Sequence, residues 1–198
     1  MIPELATETT LRTFQKTREG MIKLANQVAA VKPSTIVIAA PHGLRLWKNI
    51  GIVTSENSSG RLQLSRRSKR VVHVRVKCNQ EFAEALLDNA RKRKLPVVGA
   101  NYGSAEGATS DMPMDWGTFV PLWFILKRCR RKPDVVIVTP SREIPLSKNY
   151  GFGQIIAELA GEKSKEKTVF VASADQAHAP RNQDPTVSIR QRQSMINL

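Results

Sequence analysis

Two of the three histidines in this sequence follow short apolar runs that have the composition of buried strands. His42 comes directly after the run 35–40, which consists of β-branched and small apolar residues and stops at Pro41. His178 follows a second such run, 168–173. Imidazole exchanges protons near neutral pH and binds metals such as iron and zinc. Histidines in loops also serve as simple hydrogen-bonding groups, and the residues alone leave that choice open.

The position of these histidines along the chain favours a shared site. Parallel strands place their carboxyl ends at one edge of a sheet, and ligands of open α/β sheets bind outside that edge. We therefore expect His42 and His178 to lie at one end of the sheet, within reach of one ligand. Asp115 and Asp175 occupy comparable loops and are candidates for the surroundings of the site. His73 lies on an alternating segment between cations, and we expect it to be solvated.

The elements that would position these residues alternate between buried strands and amphipathic helices. This alternation predicts a three-layer α/β domain with a mainly parallel central sheet and helices on both faces. Proline and glycine bound several of the segments, as expected at element ends, and Pro121 is expected in the first turn of its helix. The predicted sheet contains the strands 35–40, 96–100, 134–139 and 168–173, and the predicted helices are 8–32, 80–94, 115–126 and a last helix that ends at Gly161.

The remaining segments are predicted to be short strands and connections. Residues 50–54 form a short strand, 56–60 a polar turn, and 71–76 a half-exposed strand near a sheet edge. The stretch 101–114 is predicted to be a long irregular connection, and loops of that length are usually functional or disordered. No linker divides the chain. The organisation is then one α/β domain at 1–179 and an irregular, disordered tail at 180–198.

Length and composition narrow the class of protein. A chain of 198 residues with 41% hydrophobic residues can form one domain with a sizeable core. No apolar run approaches the roughly 20 residues of a membrane span, and no secretory signal is visible at the start. Cys78 and Cys129 form no Cys-x-x-Cys motif, so neither a zinc site nor a disulfide framework is indicated. We therefore expect a cytoplasmic protein without membrane contact.

The charge is the most unusual property of the composition. Lys and Arg number 31 against 17 Asp and Glu, which gives a net charge of +14. The electrostatic field of so large a positive charge attracts nucleic acid, anionic surfaces or acidic substrates. Aromatic residues are only 6% and are not interleaved with the basic runs, so the stacking surface of a single-strand binder is missing. Nucleic acid is thus the less favoured partner, and its candidate contacts are Arg66, Arg67, Lys69 and Arg70.

Four motifs occur in an order that characterises one enzyme family. They are Pro3-Glu-Leu, Ile38-Ala-Ala-Pro-His-Gly, Asp115-Trp-Gly-Thr-Phe-Val-Pro-Leu and Ala172-Ser-Ala-Asp-Gln-Ala-His. Together they resemble the family of catalytic subunits of class III extradiol ring-cleavage dioxygenases, over about residues 2–179, and Memo-type proteins are similar in fold. The resemblance implies a non-haem Fe(II) enzyme that binds a catechol-type diolate and O₂ and inserts both oxygen atoms beside the diol.

The same resemblance implies roles for individual residues. His42 would be an iron ligand and His178 the acid–base residue that faces substrate and O₂, with Asp115, Trp116 and Asp175 around them. The chain differs from the family pattern in three ways. It begins after the strand that carries a further histidine ligand, its carboxy-terminal segment shows no third ligand, and Trp116 replaces the histidine of the family's Asp-His-Gly motif.

These differences lead to the expectation of an incomplete iron site, because a mononuclear site of this type uses about three protein ligands. The alternatives are a catalytically inactive dioxygenase-like scaffold and a basic nucleic-acid-binding protein. The substrate beyond a catechol-type molecule, and whether the chain forms a homo-oligomer, are left open by the sequence.

Overall fold

The computed structural model describes residues 2–63, 69–162 and 166–174, which form two sheets flanked by helices. A short 3₁₀ helix at Pro3–Leu5 precedes the regular elements. The helices are α1 Glu8–Thr13, α2 Gln15–Val31, α3 Gln80–Lys92, α4 Trp116–Leu126 and α5 Leu146–Glu162. The strands are β1 Thr35–Ala39, β2 Ile50–Val53, β3 Asn57–Gln63, β4 Val71–Lys77, β5 Val97–Ala100, β6 Asp111–Pro113, β7 Asp134–Thr139 and β8 Thr168–Ala172.

The central sheet has the strand order β5-β2-β7-β1-β8. β1 pairs in parallel with both β7 and β8, and their carboxyl ends share one edge of the sheet. Residues of β1 are buried on both faces: Ile36 and Ile38 pack into one core with Phe119 and Leu122 of α4, and Val37 packs into a second core with residues of α3 and α5. The prediction of an α/β fold with a mainly parallel sheet and helices on both faces is therefore confirmed.

The direction of β5 differs from the prediction, which placed 96–100 in the sheet parallel to the other three strands. β2 pairs antiparallel with β7, and β5 pairs in parallel with β2, so β2 and β5 both run opposite to β1. The reason lies in segment 40–49, which is shorter than the dozen or more residues that a parallel crossover requires. The carboxyl end of β5, and the start of the 101–114 connection, consequently lie at the edge of the sheet opposite His42.

A second, three-stranded sheet has the order β4-β3-β6. It corrects two predictions, because 57–60 of the predicted turn 56–60 belong to strand β3, and the 101–114 connection, predicted to be irregular, contains β6. One buried polar residue of β3 finds its partner on β6, since the Ser58 hydroxyl donates a hydrogen bond of 2.8 Å to the carbonyl of Met112. Gly60 permits close packing, because a Cβ there would lie 2.7 Å from the ring of Phe119.

The ends of α2 and α3 have recognisable physical causes. The Asn79 side chain accepts a hydrogen bond of 3.0 Å from the backbone N–H of Phe82 and so caps the start of α3. The predicted helix 8–32 is two helices that meet at Phe14. α2 ends at Val31, and the next residue, Lys32, has a left-handed φ of 56° immediately before Pro33. Within the described ranges, no helix is long and apolar enough to cross a membrane.

Several sequence predictions fall on residues that the structure does not describe. They concern the tail 180–198 and the candidates Arg66, Arg67, Asp175 and His178. The shared position of His42 and His178, and the domain boundary at residue 179, therefore remain predictions. Of the basic run, Lys69 and Arg70 are described, and both are exposed.

The buried thiol of Cys78 makes stability depend on pH. Burial, reinforced by the carboxylates of Asp111 and Asp134, raises the pKa of Cys78 from 9.0 to about 12. Above about pH 9 the unfolded chain releases a proton that the folded protein retains, so the free energy of unfolding is expected to fall as the pH rises. Urea unfolding at about pH 8 and about pH 10.5 measures this loss. Cys78→Ala should reduce it, and an identical loss in that variant would contradict the assignment.

Candidate functional site

His42 lies at the edge of the central sheet where β1, β7 and β8 end. Two backbone hydrogen bonds join the strand ends at this edge, from Ala40 N–H to the Val138 carbonyl (3.1 Å) and from Ser173 N–H to the Ala39 carbonyl (2.9 Å). The residues that follow these strands are thereby brought together. This is the edge at which open α/β sheets bind their ligands, as the sequence analysis expected for His42.

The His42 ring stacks on the indole of Trp116, the first residue of α4. The ring centroids are 4.4 Å apart and the planes are inclined by 27°. Trp116 remains 56% exposed, so part of the indole is open to solvent beside His42. An indole N–H donates hydrogen bonds but offers no lone pair to a metal. Trp116 can therefore orient the imidazole of His42 but cannot act as a ligand in place of a histidine.

Asp115 caps α4 with both carboxylate oxygens. Its Oδ1 accepts hydrogen bonds from the backbone N–H groups of Gly117 (2.7 Å) and Thr118 (3.2 Å), and its Oδ2 accepts from the Thr118 hydroxyl (2.7 Å). The carboxylate also lies against the loop of His42, because a Cβ on Gly43 would be 3.3 Å from Asp115 Oδ2. Asp115 thus holds the amino end of α4, with Trp116, in place against that loop.

Gly117 is the point where three segments meet. A Cβ at this position would lie 2.8 Å from Asp115 Oδ1, 3.5 Å from the His42 ring and 3.6 Å from Ser173 Oγ. A side chain there would push against the loop after β1, the start of α4 and the end of β8. The absence of a side chain lets these segments approach, and no property of the sequence other than the glycine itself signals this.

Ser173 is a site residue that the sequence analysis did not identify. Its hydroxyl donates a hydrogen bond of 2.7 Å to the carbonyl of Gly117. That carbonyl lacks its usual helical partner because Pro121, four residues later and inside α4, has no N–H. The expectation that Pro121 would lie in the first turn was wrong, and the Ser173 hydroxyl compensates for the lost backbone bond. The proline predicts a free carbonyl, but only the fold supplies the donor.

The segment after β7 adds charged groups to the same end of the sheet. Glu143 lies 3.7 Å from the guanidinium of Arg45, in the loop that also carries His42. A hydrogen bond from the Ser141 hydroxyl lowers the pKa of Glu143, with a smaller contribution from Arg45. Thr139, at the end of β7, is buried, and its Oγ1 has no hydrogen-bond partner in the described part of the chain. The ion pair between Arg45 and Glu143 connects the segments after β1 and β7.

The described residues do not by themselves form a metal site. Among residues 2–63, 69–162 and 166–174, no group of three or more His, Cys, Asp or Glu side chains is placed to hold a metal ion. Non-haem Fe(II) centres of the expected type use about three protein ligands. His42 is the candidate ligand at this edge, and both oxygens of Asp115 are already engaged in the cap. The residues described here therefore do not fit a complete iron centre.

The third histidine, His73, belongs to the three-stranded sheet and not to the central sheet that carries His42. His73 lies on β4 of the second sheet and is exposed, as predicted. It therefore offers a matched histidine substitution for experiments on His42.

The cap of α4 gives a testable effect on stability. Asp115→Ala is expected to lower the free energy of unfolding by about 0.5–2 kcal/mol, because two backbone N–H groups and one hydroxyl lose their acceptor. Asp115→Asn retains an oxygen acceptor and should cost less. Urea unfolding followed by circular dichroism compares the three proteins. Equal losses in both variants would show that the negative charge, rather than the cap, stabilises the helix.

Comparison with known proteins agrees with the motif pattern. The family model described as the catalytic LigB subunit of aromatic ring-opening dioxygenase matches residues 3–190. Protein CA_C1420 of Clostridium acetobutylicum is 27% identical over 175 residues, which is 88% of this chain and 36% of that protein. The chain therefore spans about a third of the length of this curated relative, whose name states no activity.

Proposed function

Since this chain belongs to the family of catalytic LigB subunits of aromatic ring-opening dioxygenases, we propose that it carries part of the site of an Fe(II)-dependent extradiol ring-cleavage protein. The proposed substrates are a catechol-like aromatic compound and O₂. The observation that carries the proposal is the position of His42, in the family's Pro-His-Gly motif and directly at the edge where β1, β7 and β8 end. Sites of open α/β sheets lie outside this edge.

The proposed roles combine this placement with the family resemblance. His42 is the iron ligand, and its ring plane is set by the stack on Trp116. By the resemblance, His178 is the acid–base residue, and Asp175 and Asp115 are candidates for the surroundings of the site. The support for His178 is indirect: β8 ends beside β1, where Ser173 bonds to Ala39, and His178 follows five residues later in the sequence.

Trp116 is the second part of the proposal. An indole that is 56% exposed beside an imidazole provides a flat apolar surface, which suits the ring of an aromatic compound. Asp115 and Ser173 keep this indole in place, because each binds the first turn of α4. The chain thereby contributes one candidate iron ligand, His42, and the exposed indole surface of Trp116.

The proposed iron site is not complete within the described residues, because no group of three or more His, Cys, Asp or Glu side chains there is placed to hold a metal ion. We therefore expect this chain, when purified alone, to bind Fe(II) weakly and to consume oxygen slowly or not at all with catechols. The weak binding should depend on His42, because that residue supplies the candidate imidazole ligand.

The test is anaerobic titration with Fe(II), followed by oxygen uptake on a panel of catechols. His42→Ala should remove the Fe(II) binding that the unmodified chain shows. His73→Ala is the matched control, because it deletes an exposed imidazole on the other sheet and should leave binding unchanged. Circular dichroism of both variants verifies that the fold is retained.

Two results would overturn parts of the proposal. Fe(II) binding that is the same in His42→Ala as in the unmodified chain would remove His42 from the ligand set and favour the inactive scaffold. Stoichiometric iron together with rapid oxygen uptake, both abolished by His42→Ala, would show that the site is complete within this chain after all.

A further inference from the structure

The three-stranded sheet has one face against the core and one face directed to solvent. Side chains alternate along its strands, and Ser58, Val74 and Val76 are buried on the inner face. The intervening positions form the opposite surface, here called the outer face, which consists of Asn57, Ser59, Arg61, Gln63, Val71, His73, Arg75, Lys77, Asp111 and Pro113. The proposed dioxygenase function does not use the outer face, since His42 follows a strand of the other sheet.

The outer face has a strong excess of positive charge. In the described part of the chain its one carboxylate is that of Asp111 on β6. Two exposed cations immediately before β4 adjoin the face and add to its charge. The cations of the face and of this adjoining segment are Arg61, Lys69, Arg70, Arg75 and Lys77. Such a surface attracts a polyanion, because several like charges act on it together.

The protein itself neutralises one of these cations and leaves others charged. Arg75 lies 3.7 Å from the carboxylate of Asp111 and also donates to a backbone carbonyl, so we do not count it as a contact for a ligand. The Arg61 guanidinium donates a hydrogen bond of 3.0 Å to the side-chain oxygen of Gln63, which is neutral and leaves the positive charge uncompensated. The Lys77 side chain has neither a hydrogen bond nor an ion pair with the described residues.

The sheet holds the outer face in a regular arrangement. Arg61 of β3 lies directly opposite His73 of β4, and Lys77 lies two outward positions further along β4. Outward side chains on one strand repeat about every 6.5–7 Å, and opposed side chains on neighbouring strands are about 5 Å apart. A nucleic-acid duplex presents its phosphates in regular rows, with one negative charge per about 1.7 Å of helix axis. Cations fixed on a sheet can therefore meet several phosphates at once.

The side chains of the outer face favour a duplex over other polyanions. No Phe, Tyr or Trp occupies an outward position of the described residues of β3, β4 or β6, so unpaired bases would find no aromatic ring of this kind to stack on. A membrane-binding surface combines cations with apolar side chains, whereas most large apolar residues of these strands point into the core. A duplex is bound through its phosphates and requires neither stacking nor apolar contact.

We propose that the outer face binds the phosphate backbone of a double-stranded nucleic acid, with Arg61, Lys69 and Lys77 as the phosphate contacts. Binding is independent of base sequence, because phosphate contacts position a protein on a duplex but carry no sequence information. The surface belongs to the second sheet, so the proposal does not depend on the proposed dioxygenase function.

The experiment measures binding of the full chain to a fluorescent DNA duplex by anisotropy at several salt concentrations. Three phosphate contacts predict a slope of log affinity against log salt of about −2.7, and thus a loss of about 40-fold between about 50 and about 200 mM salt. The double variant Arg61→Gln, Lys77→Gln should reduce the slope to about −0.9, because each lost phosphate contact removes about 0.9. Arg91→Gln, Lys92→Gln is the matched control and should leave the slope unchanged, since both residues are exposed in the last turn of α3, which packs in the other core.

Further arms separate duplex binding from general charge attraction. A duplex of unrelated sequence should bind within about 3-fold of the first, and an RNA duplex in the same assay distinguishes the two sources of double-stranded phosphate backbone. The proposal is overturned if neither duplex binds at about 50 mM salt, if the two double variants change the slope equally, or if a single strand binds as tightly as the duplex. Vesicles containing phosphatidylserine that displace the duplex, and whose own binding is lost in Arg61→Gln, Lys77→Gln, would identify a membrane-binding surface instead. Circular dichroism verifies that both double variants are folded.

Discussion

Phe119→Ala is expected to lower the free energy of unfolding by about 3–5 kcal/mol, the range for removing a fully buried aromatic side chain. The Phe119 side chain is completely buried in the core formed by α2, α4 and one face of the central sheet. Its ring also packs against Gly60 of β3, so it connects the two sheets through α4. The substitution leaves a cavity where both sheets meet the helix that carries Trp116.

Urea unfolding followed by circular dichroism measures this loss, with the slope checked for two-state behaviour. Phe14→Ala is the matched control, because Phe14 is 46% exposed at the junction of α1 and α2, and we expect a cost below about 1 kcal/mol. Similar losses in the two variants would contradict the assignment of Phe119 to the centre of the core.

Gly51→Ala is expected to destabilise the protein by about 1–3 kcal/mol through overpacking between β2 and β7. A Cβ at Gly51 would lie 2.3 Å from Thr139 Oγ1. The other γ atom of Thr139, Cγ2, lies 3.0 Å from the position that a Cβ on Gly43 would take. Both γ atoms of Thr139 therefore face glycines, and an added methyl group at Gly51 would meet the hydroxyl directly.

The double variant Gly51→Ala, Thr139→Ala tests this explanation. Thr139 Oγ1 has no partner among the described residues, so its removal costs no hydrogen bond, and the double variant should recover at least about half of the loss. Gly20→Ala is the matched control, since Gly20 is within α2 with nothing close to a Cβ, and alanine there should stabilise by about 0.5–1 kcal/mol. Additive losses in the double variant would show that Thr139 is not the obstacle.

Local patterns in the sequence account for much of the fold. The continuous apolar runs of β1 and β7 predict strands buried on both faces, and both are observed at the centre of the sheet. Asn79 predicts the start of α3 through its side-chain cap. Such signals depend on neighbouring residues alone, so they can be recognised before the fold is known. The family motifs likewise predicted the membership that the comparison confirms.

Other features depend on contacts between distant segments. The polar residues 56–60 predict a turn, yet pairing with β4 and the bond from Ser58 to Met112 make 57–60 the first part of strand β3. The direction of β5 follows from the antiparallel pairing of β2 with β7. Neither pairing leaves a local pattern in the sequence.

The sequence by itself determined the strand–helix alternation, the cap of α3 by Asn79 and the placement of His42 after a buried strand. The tertiary structure alone decided that Trp116 stacks on His42 and that three segments come close together at Gly117. It also decided that the Ser173 hydroxyl donates to the Gly117 carbonyl, which lacks a helical partner because of Pro121. The physical reason is sequence separation. Periodicity and capping are properties of adjacent residues, whereas the site forms from side chains whose distances are set only when the strands pair and α4 packs against them.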